Sequence, residues 1–312
     1  MKPSIGSGRE WAPDLVVVGA ASRDLVTDDP LGWRLGGGAT YSALLAARMG
    51  VSVGVVLGVD REAAGATELR DLEAAGAHLA AVHLSSGPVF RNVETPDGRR
   101  QDSRSASDRI PPTALPASWA TAPAFLLAPV ADELADDWAD VPRPDATVGL
   151  GWQGLLREAL PGKPVRQRQA RPRPLFGRAD MAGVSPDDLR AGPAEIRTLL
   201  PRAGQRLIVT LGDRGGLLLR REATGVSIRR VPAVASAAGG DPVGAGDVFL
   251  ATWLVASLGL GVLGGRPLPG DRALLLAAVA ASLTVERPGL EGVPTLDRIT
   301  ERVAELAARP GE

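Results

Sequence analysis

Short apolar runs recur along the chain, and most of them are rich in β-branched side chains. Such runs are typical of strands that are buried on both faces of a sheet. They predict strands at Asp14–Gly19, Val51–Val59, His78–Leu84, Ala124–Pro129, Ala146–Gly151 and Leu217–Arg220, with a further strand that starts at Arg206 and runs into a glycine turn ending at Gly216.

Apolar residues at helical spacing separate these strands. They predict helices at Tyr41–Met49, Glu62–Gly76, Asp132–Asp140, Arg272–Glu286 and Leu296–Ala308. The apolar run Val248–Gly264 is interrupted by glycines and falls short of the roughly 20 residues that span a membrane, so it predicts a buried core helix. Strands that alternate with helices indicate an α/β fold, with a mostly parallel sheet covered by helices on both faces. No internal repeat or domain boundary is visible, and residues 1–312 are predicted to form one main domain.

Two segments depart from this alternation. Pro88–Gln101 contains an Asp97-Gly98 turn between strand-like residues, which is a strong hairpin signal. Polar residues lie on both faces of this hairpin, so we expect it to project from the main sheet. Pro161–Pro174 is rich in proline and arginine, and we expect an exposed connection whose arginines are solvated.

The turn before the apolar run Val248–Gly264 is the strongest candidate for chemistry. Gly244, Ala245 and Gly246 lead directly into the predicted helix, where backbone N–H groups have no intrahelical partner. Small residues let an anionic oxygen approach these groups closely, so the turn predicts a phosphate site. Asp247 follows at its mouth. A carboxylate there either caps the helix or takes a proton from an attacking hydroxyl.

Near the N-terminus, Asp24 follows the first predicted strand, and Gly36 and Gly37 precede a helix. We expect Ala20–Asp24 to be a loop at the carboxyl end of that strand, the place where ligands bind in open α/β sheets. An exposed loop aspartate is the alternative. Adjacent glycines before a helix serve as a hinge, a ligand surface or a flexible turn.

Composition narrows the classes of function. The 312 residues carry a net charge of −1, which argues against a nucleic-acid or membrane-binding surface. There is no cysteine, so disulfides, thiolate catalysis and cysteine-ligated zinc are excluded. The polar N-terminal segment lacks the pattern of a secretory signal, and we expect a cytoplasmic protein.

Several of these motifs together resemble the ribokinase-like (PfkB) carbohydrate kinase family. Asp241-Pro242-Val243-Gly244-Ala245-Gly246-Asp247 is similar to its C-terminal signature, and Thr210-Leu211-Gly212-Asp213-Arg214-Gly215 to its nucleotide-binding turn. Gly36-Gly37 resembles the paired glycines of its N-terminal signature. Leu127-Ala128-Pro129-Val130 with Glu133, and the stretch from Gly149 to Arg157, are similar to the myo-inositol kinase-like branch.

The resemblance implies a ribokinase-like fold with a small β lid, here reduced and formed by about 25–35 and 88–104. It implies that ATP and Mg²⁺ are used, with K⁺ as a further cation, and that Asp247 is the base beside an anion hole. The implied site residues are, for catalysis, Asp247, Gly244, Ala245 and Gly246; for the acceptor, Asp24, Gly36, Gly37, Tyr41 and Arg91; for the nucleotide, Thr210, Gly212, Gly215 and Ser185; for cations, Asp188 through water and Asp241.

The chain departs from the family pattern at two places. Tyr41 stands where the family usually has asparagine, and Ser185-Pro186-Asp187-Asp188 stands for its Asn-x-x-Glu motif. We expect a kinase for a small sugar or cyclic polyol similar to myo-inositol, acting as a monomer or homodimer without nucleic-acid or membrane partners. A nucleoside kinase with Phe90 and Tyr41 stacking on the base is one alternative. A non-catalytic nucleotide- or sugar-binding regulator is the other.

Overall fold

The computed structural model describes residues 11–27, 29–95, 98–171, 173–189, 199–237 and 240–308. The strands in these ranges are β1 Leu15–Ala20, β2 Ser22–Leu25, β3 Trp33–Gly36, β4 Val53–Val59, β5 Ala77–His83, β6 Val89–Thr95, β7 Gly98–Ser105, β8 Ala124–Leu127, β9 Thr147–Gly151, β10 Arg157–Glu158, β11 Lys163–Pro164, β12 Arg166–Gln167, β13 Met181–Val184, β14 Arg206–Thr210, β15 Gly216–Glu222 and β16 Gly225–Val231. The α-helices are α1 Gly38–Arg48, α2 Glu68–Ala74, α3 Pro174–Arg178, α4 Ala245–Leu258, α5 Gly270–Val285 and α6 Leu296–Ala308.

Nine strands form the large sheet, in the order β16-β15-β14-β13-β9-β8-β1-β4-β5. The seven from β14 to β5 are parallel to their neighbours, whereas β15 and β16 join antiparallel at one edge. The mostly parallel α/β fold predicted from the sequence is therefore confirmed. In a parallel sheet all the carboxyl ends lie at one edge, which is where loops gather to form a site.

Strand β1 shows why the sheet is buried on both faces. Leu15 and Val17 belong to the apolar cluster that contains α1, α4 and α5, while Val16 and Val18 belong to the cluster on the opposite face. Successive side chains of a strand point to opposite faces, so a continuous β-branched run serves both clusters. The second face is covered largely by short 3₁₀ segments that carry buried tryptophans, one of which, Trp138, donates from Nε1 to the Ile110 carbonyl at 2.8 Å.

Helix α4 is the central helix of the first face and packs against both α1 and α5. It begins at Ala245, and Gly259, in the left-handed region with φ 69°, ends it. Ala245–Leu263 is long and apolar enough to cross a membrane by composition alone, yet 56% of its most apolar window is buried inside the protein. The expected core helix is therefore found.

The small sheet has the order β11-β7-β6-β2-β3. Its predicted hairpin is β6–β7, although the Pro96-Asp97 part of its turn lies outside the described residues. The predicted loop Ala20–Asp24 is wrong, because Ser22–Leu25 forms strand β2, antiparallel to β3 and parallel to β6. A second hairpin therefore joins the expected one. The sequence Ser-Arg-Asp-Leu carries no apolar run, and its pairing with β3 and β6 makes it a strand.

Two helix predictions were too long. Within Asp132–Asp140 only Asp136–Asp140 is helical, as a 3₁₀ turn, because Asp132 has a left-handed φ of 59°. Glu62–Gly76 is divided into a 3₁₀ turn and α2. Strands β13 and β16 were not predicted.

The arginine-rich connection contains β11, β12 and the start of α3. Three of its arginines are paired with aspartates: Arg168 and Arg173 with Asp132, and Arg178 with Asp180. These pairs leave a mixed-charge surface there.

Candidate active site

The predicted site residues gather where the carboxyl ends of the parallel strands meet the small sheet. Asp24 lies on β2, Gly36 and Gly37 precede α1, and Ser185 and Asp188 follow β13. Thr210 ends β14 and Gly212 follows it, while Asp241–Gly244 precede α4 and Ala245–Asp247 form its first turn. The chain passes from β1 into β2 within two residues, so the small sheet starts at this edge.

The Gly244 turn leaves backbone donors open at the start of α4. Gly244 has φ 78°, a left-handed conformation that favours glycine. Among the described residues, no protein oxygen accepts a hydrogen bond from the N–H groups of Gly244, Gly246 or Asp247, whereas that of Ala245 donates to the Pro242 carbonyl at 3.3 Å. A Cβ built on Gly246 would meet nothing within 4 Å. Open donors at a helix N-terminus form an anion site.

The Asp247 carboxylate lies between the first turn of α1 and the end of β9. A Cβ on Gly38 would stand 2.6 Å from Asp247 Oδ1, and one on Gly151 would stand 3.9 Å from it. Burial raises the pKa of Asp247 to about 6, with Arg157 opposing the rise and Asp188 adding to it. These features favour the proton-accepting interpretation over the capping one.

Asp188 is bound by an arginine that the sequence analysis did not single out. Arg157 Nε donates to Asp188 Oδ1 at 2.6 Å, and the Asp188 side chain is only 4% exposed. Burial raises the pKa of Asp188, and the neighbouring guanidinium opposes that rise. The Asp188 carboxylate, which was expected to order a water on Mg²⁺, thus already accepts a hydrogen bond from Arg157.

No cluster of three or more His, Asp or Glu suited to a metal ion occurs among the described residues. A magnesium ion here would be held chiefly by phosphate oxygens and water, as Mg²⁺ usually is in phosphoryl-transfer sites. The open N–H donors of the Gly244 turn fit the phosphates of such a complex.

A cavity of about 320 Å³ opens beside the turn, between the small sheet, α1 and the segment Asp241–Val243. Its polar lining comes from Asp24, Thr27, Arg34, Tyr41, Asn92 and Asp241. Ser22 Oγ donates to Asp24 Oδ1 at 3.1 Å, which orients that carboxylate. The cavity therefore offers carboxylate, guanidinium, amide and phenol groups within one enclosure.

Glycine at position 36 makes room for the Asp24 side chain, since a Cβ there would be 2.3 Å from Asp24 Oδ2. Gly37, with φ 104°, is the residue before α1, and a Cβ on it would be 2.5 Å from the Ala20 carbonyl oxygen. The paired glycines therefore allow close packing of β1, β2 and α1 at the cavity wall.

Tyr41 joins the cavity to the anion-binding turn. Its ring lies against Gly244, where a Cβ would be 2.3 Å from ring carbons, and it also lines the cavity. Burial, followed by the charges of Asp24, Asp241 and Asp247, raises the pKa of the Tyr41 hydroxyl. The phenol therefore keeps its proton and can donate it in a hydrogen bond.

Two expected acceptor contacts are placed differently. Arg91 is exposed on β6 and does not line the cavity, whereas its neighbour Asn92 does. Adjacent strand residues face opposite sides, which is the signal that would have favoured Asn92 over Arg91. Phe90, an expected stacking residue, is 3% exposed and belongs to the apolar core.

The predicted nucleotide-binding residues lie at the carboxyl ends of the adjacent parallel strands β13 and β14 and in the turns that follow them. Thr210 Oγ1 donates to the Val184 carbonyl at 3.3 Å, and Ser185 Oγ accepts from the Asp187 N–H at 3.1 Å. Gly212 and Gly215 have φ values of 60° and 82°. A Cβ on Gly215 would come within 2.1 Å of the Val231 carbonyl oxygen, so strand β16 requires glycine there whatever the turn binds.

Part of the chain matches a known protein family. Residues 179–296, which include the nucleotide turn and the Gly244 turn, match the model of the pfkB family carbohydrate kinases. No curated protein matches the chain in sequence.

Solved structures share the fold at low identity. A pyrophosphate-dependent kinase of the ribokinase family, in complex with a pyrophosphate analogue and myo-inositol, is similar with a TM-score of 0.70 at 17% identity, over 92% of this chain and 99% of that one. Arabidopsis thaliana ribokinase, complexed with ribose and ATP, gives 0.64 at 18% identity, over 93% and 98%. Methanocaldococcus jannaschii nucleoside kinase gives 0.63 at 17% identity, over 94% and 98%.

Proposed function

We propose that this chain is a kinase that transfers a phosphoryl group from Mg·ATP to a hydroxyl of a small cyclic polyol or sugar, a proposal supported by the match of residues 179–296 to the pfkB family carbohydrate kinase model. The observation that carries the proposal is the contact of Tyr41 with both the acceptor cavity and the Gly244 turn. The Tyr41 ring thus links a polar pocket to a turn that carries open N–H donors and is followed by the partly buried Asp247 carboxylate. Phosphoryl transfer needs this arrangement, because positioning and charge neutralisation account for most of its catalysis.

Each residue then has a distinct role in the proposed reaction. Asp24 accepts hydrogen bonds from acceptor hydroxyls, since a carboxylate binds two at once. Asp247 takes the proton of the attacking hydroxyl, and a pKa of about 6 leaves it ionised yet more basic than an ordinary aspartate at neutral pH. The N–H groups of Gly244 and Gly246 donate to the oxygens of the transferred group, where negative charge develops.

Bound Mg²⁺ supplies positive charge to the phosphates. In this proposal Thr210, Gly212, Gly215 and Ser185 lie along the nucleotide at the ends of β13 and β14. Asp241, whose Oδ1 accepts from the Val243 N–H at 3.1 Å, is the candidate residue beside a monovalent cation such as K⁺. A cytoplasmic location follows from the use of ATP as donor.

The cavity favours a polyol over a nucleoside. Its polar lining suits hydroxyl groups, and a site built to bond hydroxyls rejects analogues that lack them. Stacking of a base needs an open aromatic face, yet Phe90 is buried in the core and the Tyr41 ring packs against Gly244. The structural relative that binds myo-inositol supports the same class of acceptor.

The test is a panel of cyclic polyols, sugars and nucleosides, assayed for phosphorylated product with Mg²⁺ and either ATP or pyrophosphate. Pyrophosphate is included because one structural relative depends on it. We expect a cyclic polyol or sugar with ATP to give the highest kcat/KM. A nucleoside as best acceptor would contradict the proposed substrate class, and pyrophosphate as best donor would contradict the proposed donor. Binding of nucleotide and sugar without any turnover would support the regulator instead.

A further inference from the structure

A chain of polar side chains crosses from the acceptor cavity to Asp188. It begins at Asn92, which lines the cavity, and continues through Gln101 and Arg157. Gln101 Nε2 donates to Asn92 Oδ1 at 3.2 Å, and Arg157 Nη1 donates to Gln101 Oε1 at 3.1 Å. Arg157 Nε then donates to Asp188 Oδ1 at 2.6 Å. The Gln101 amide therefore bonds Asn92 at the acceptor cavity through its nitrogen and Arg157 beside Asp188 through its oxygen.

Gln101 is held in place by its backbone as well. It lies directly opposite Asn92 in the β6–β7 register, and its carbonyl accepts from the Val165 N–H at 2.8 Å. Strand β7 is thus bonded on both sides at this position. A side chain on so restrained a backbone fixes the orientation of what it binds.

Arg157 is the only described cation among the groups that perturb the pKa of Asp247. Its guanidinium presents five N–H donors in one rigid plane, so a hydrogen bond from one of them restricts the orientation of the other four. The bonds to Gln101 and to Asp188 together fix that plane beside the catalytic carboxylate. The pair is also largely buried, with Arg157 at 17% and Asp188 at 4% exposure, where a charge without its partner is costly.

We infer that Gln101 and Arg157 are positioning residues that couple the acceptor cavity to the phosphoryl-transfer site through the chain Asn92–Gln101–Arg157–Asp188. The inference rests on the proposed function, because it concerns the same site. An acceptor that hydrogen-bonds Asn92 orients the Gln101 amide, which in turn orients the Arg157 guanidinium beside Asp188 and Asp247. Occupation of the acceptor cavity therefore strengthens donor binding, and the converse holds because such coupling is reciprocal.

The experiment measures acceptor binding by calorimetry with and without a non-hydrolysable ATP analogue and Mg²⁺, using the best acceptor from the panel. In the wild-type protein we expect the analogue to tighten acceptor binding by about 5-fold or more, the lower range of allosteric coupling. In Gln101→Ala we expect less than about 2-fold tightening, with the affinity for each ligand alone little changed. Its kcat should fall, and KM for ATP at saturating acceptor should rise, because bound acceptor no longer tightens donor binding.

Two further variants separate this role from a structural one. Arg100→Ala is the matched control on the same strand, because Arg100 is 52% exposed and pairs only with Asp102 among the described residues. It should keep the coupling. Gln101→Glu retains the acceptor for Arg157 but cannot donate to Asn92 when ionised, so it should keep the Arg157–Asp188 geometry and lose the coupling. Thermal unfolding of all three variants identifies any loss of fold.

Equal coupling in wild type and Gln101→Ala would overturn the inference, as would a wild type that shows none. A Gln101→Ala variant that loses donor affinity equally with and without acceptor would also overturn it, since Gln101 would then support donor binding alone. The failure of the proposed function is distinguishable from these results: no acceptor in the panel would then be phosphorylated by the wild type.

Discussion

Replacing Asp247 with asparagine should lower activity and raise stability at the same time. Asparagine has nearly the same shape, so it fits the space left by Gly38 and Gly151. It cannot accept the proton of the attacking hydroxyl, and general-base catalysis contributes about 10²–10⁴-fold. We therefore expect kcat to fall by about that factor, with the affinity for ATP little changed.

The gain in stability follows from the sign of the pKa shift. The pKa of Asp247 is raised from 3.8 to about 6, so the folded protein holds this proton more tightly than the unfolded chain does. The free energy of unfolding therefore decreases as the pH rises from about 4 to about 6 and stays lower above that range. At about 1.4 kcal/mol per pKa unit, the ionised carboxylate costs at most about 3 kcal/mol near pH 8. The asparagine avoids this cost, and Tm at pH 8 should rise by a few degrees.

The assay pairs initial rates with thermal unfolding at pH 8 and at pH 4.5. The control is Asp271→Asn, which changes an aspartate in the first turn of α5 whose side chain is 80% exposed. It should leave kcat within about twofold of wild type. Turnover close to wild type in Asp247→Asn would show that Asp247 is not the base. Loss of activity together with a lower Tm at pH 8 would show that the carboxylate stabilises the fold, which contradicts the burial argument.

The remaining predictions concern the same pocket. The acid limb of the kcat–pH profile should lie near pH 6, because Asp247 accepts a proton only when ionised; a profile flat down to pH 4.5 would contradict this. Asp24→Ala should lower kcat/KM for the acceptor by a factor that corresponds to about 1.5–3 kcal/mol, the value of a hydrogen bond to a charged group; an unchanged kcat/KM would show that Asp24 does not bind the acceptor. Gly38→Ala should lower kcat at least tenfold, since its Cβ would stand 2.6 Å from Asp247 Oδ1; the control is Gly177→Ala, whose Cβ would meet nothing within 4 Å.

The sequence by itself determined the layers of the fold and the glycine turn before α4. Runs such as Leu15–Ala20 are apolar at every position, so they have to be covered on both faces, and this requires a parallel sheet between layers. The Gly244 turn could equally be predicted, because its small residues and the helix start adjoin in the chain. Local patterns of this kind need no knowledge of distant partners.

Only the tertiary structure decided which polar groups meet. Arg157 is 31 residues from Asp188 and 56 from Gln101 along the chain, and no periodicity links such positions. Strand β2 has no apolar pattern of its own and is formed by pairing with β3 and β6. Asn92 rather than Arg91 lines the cavity because adjacent residues of β6 point to opposite faces of the sheet. The sequence specifies which chemical groups are present. Packing between distant segments decides which of these groups become neighbours, and therefore sets their hydrogen-bond partners and their pKa values.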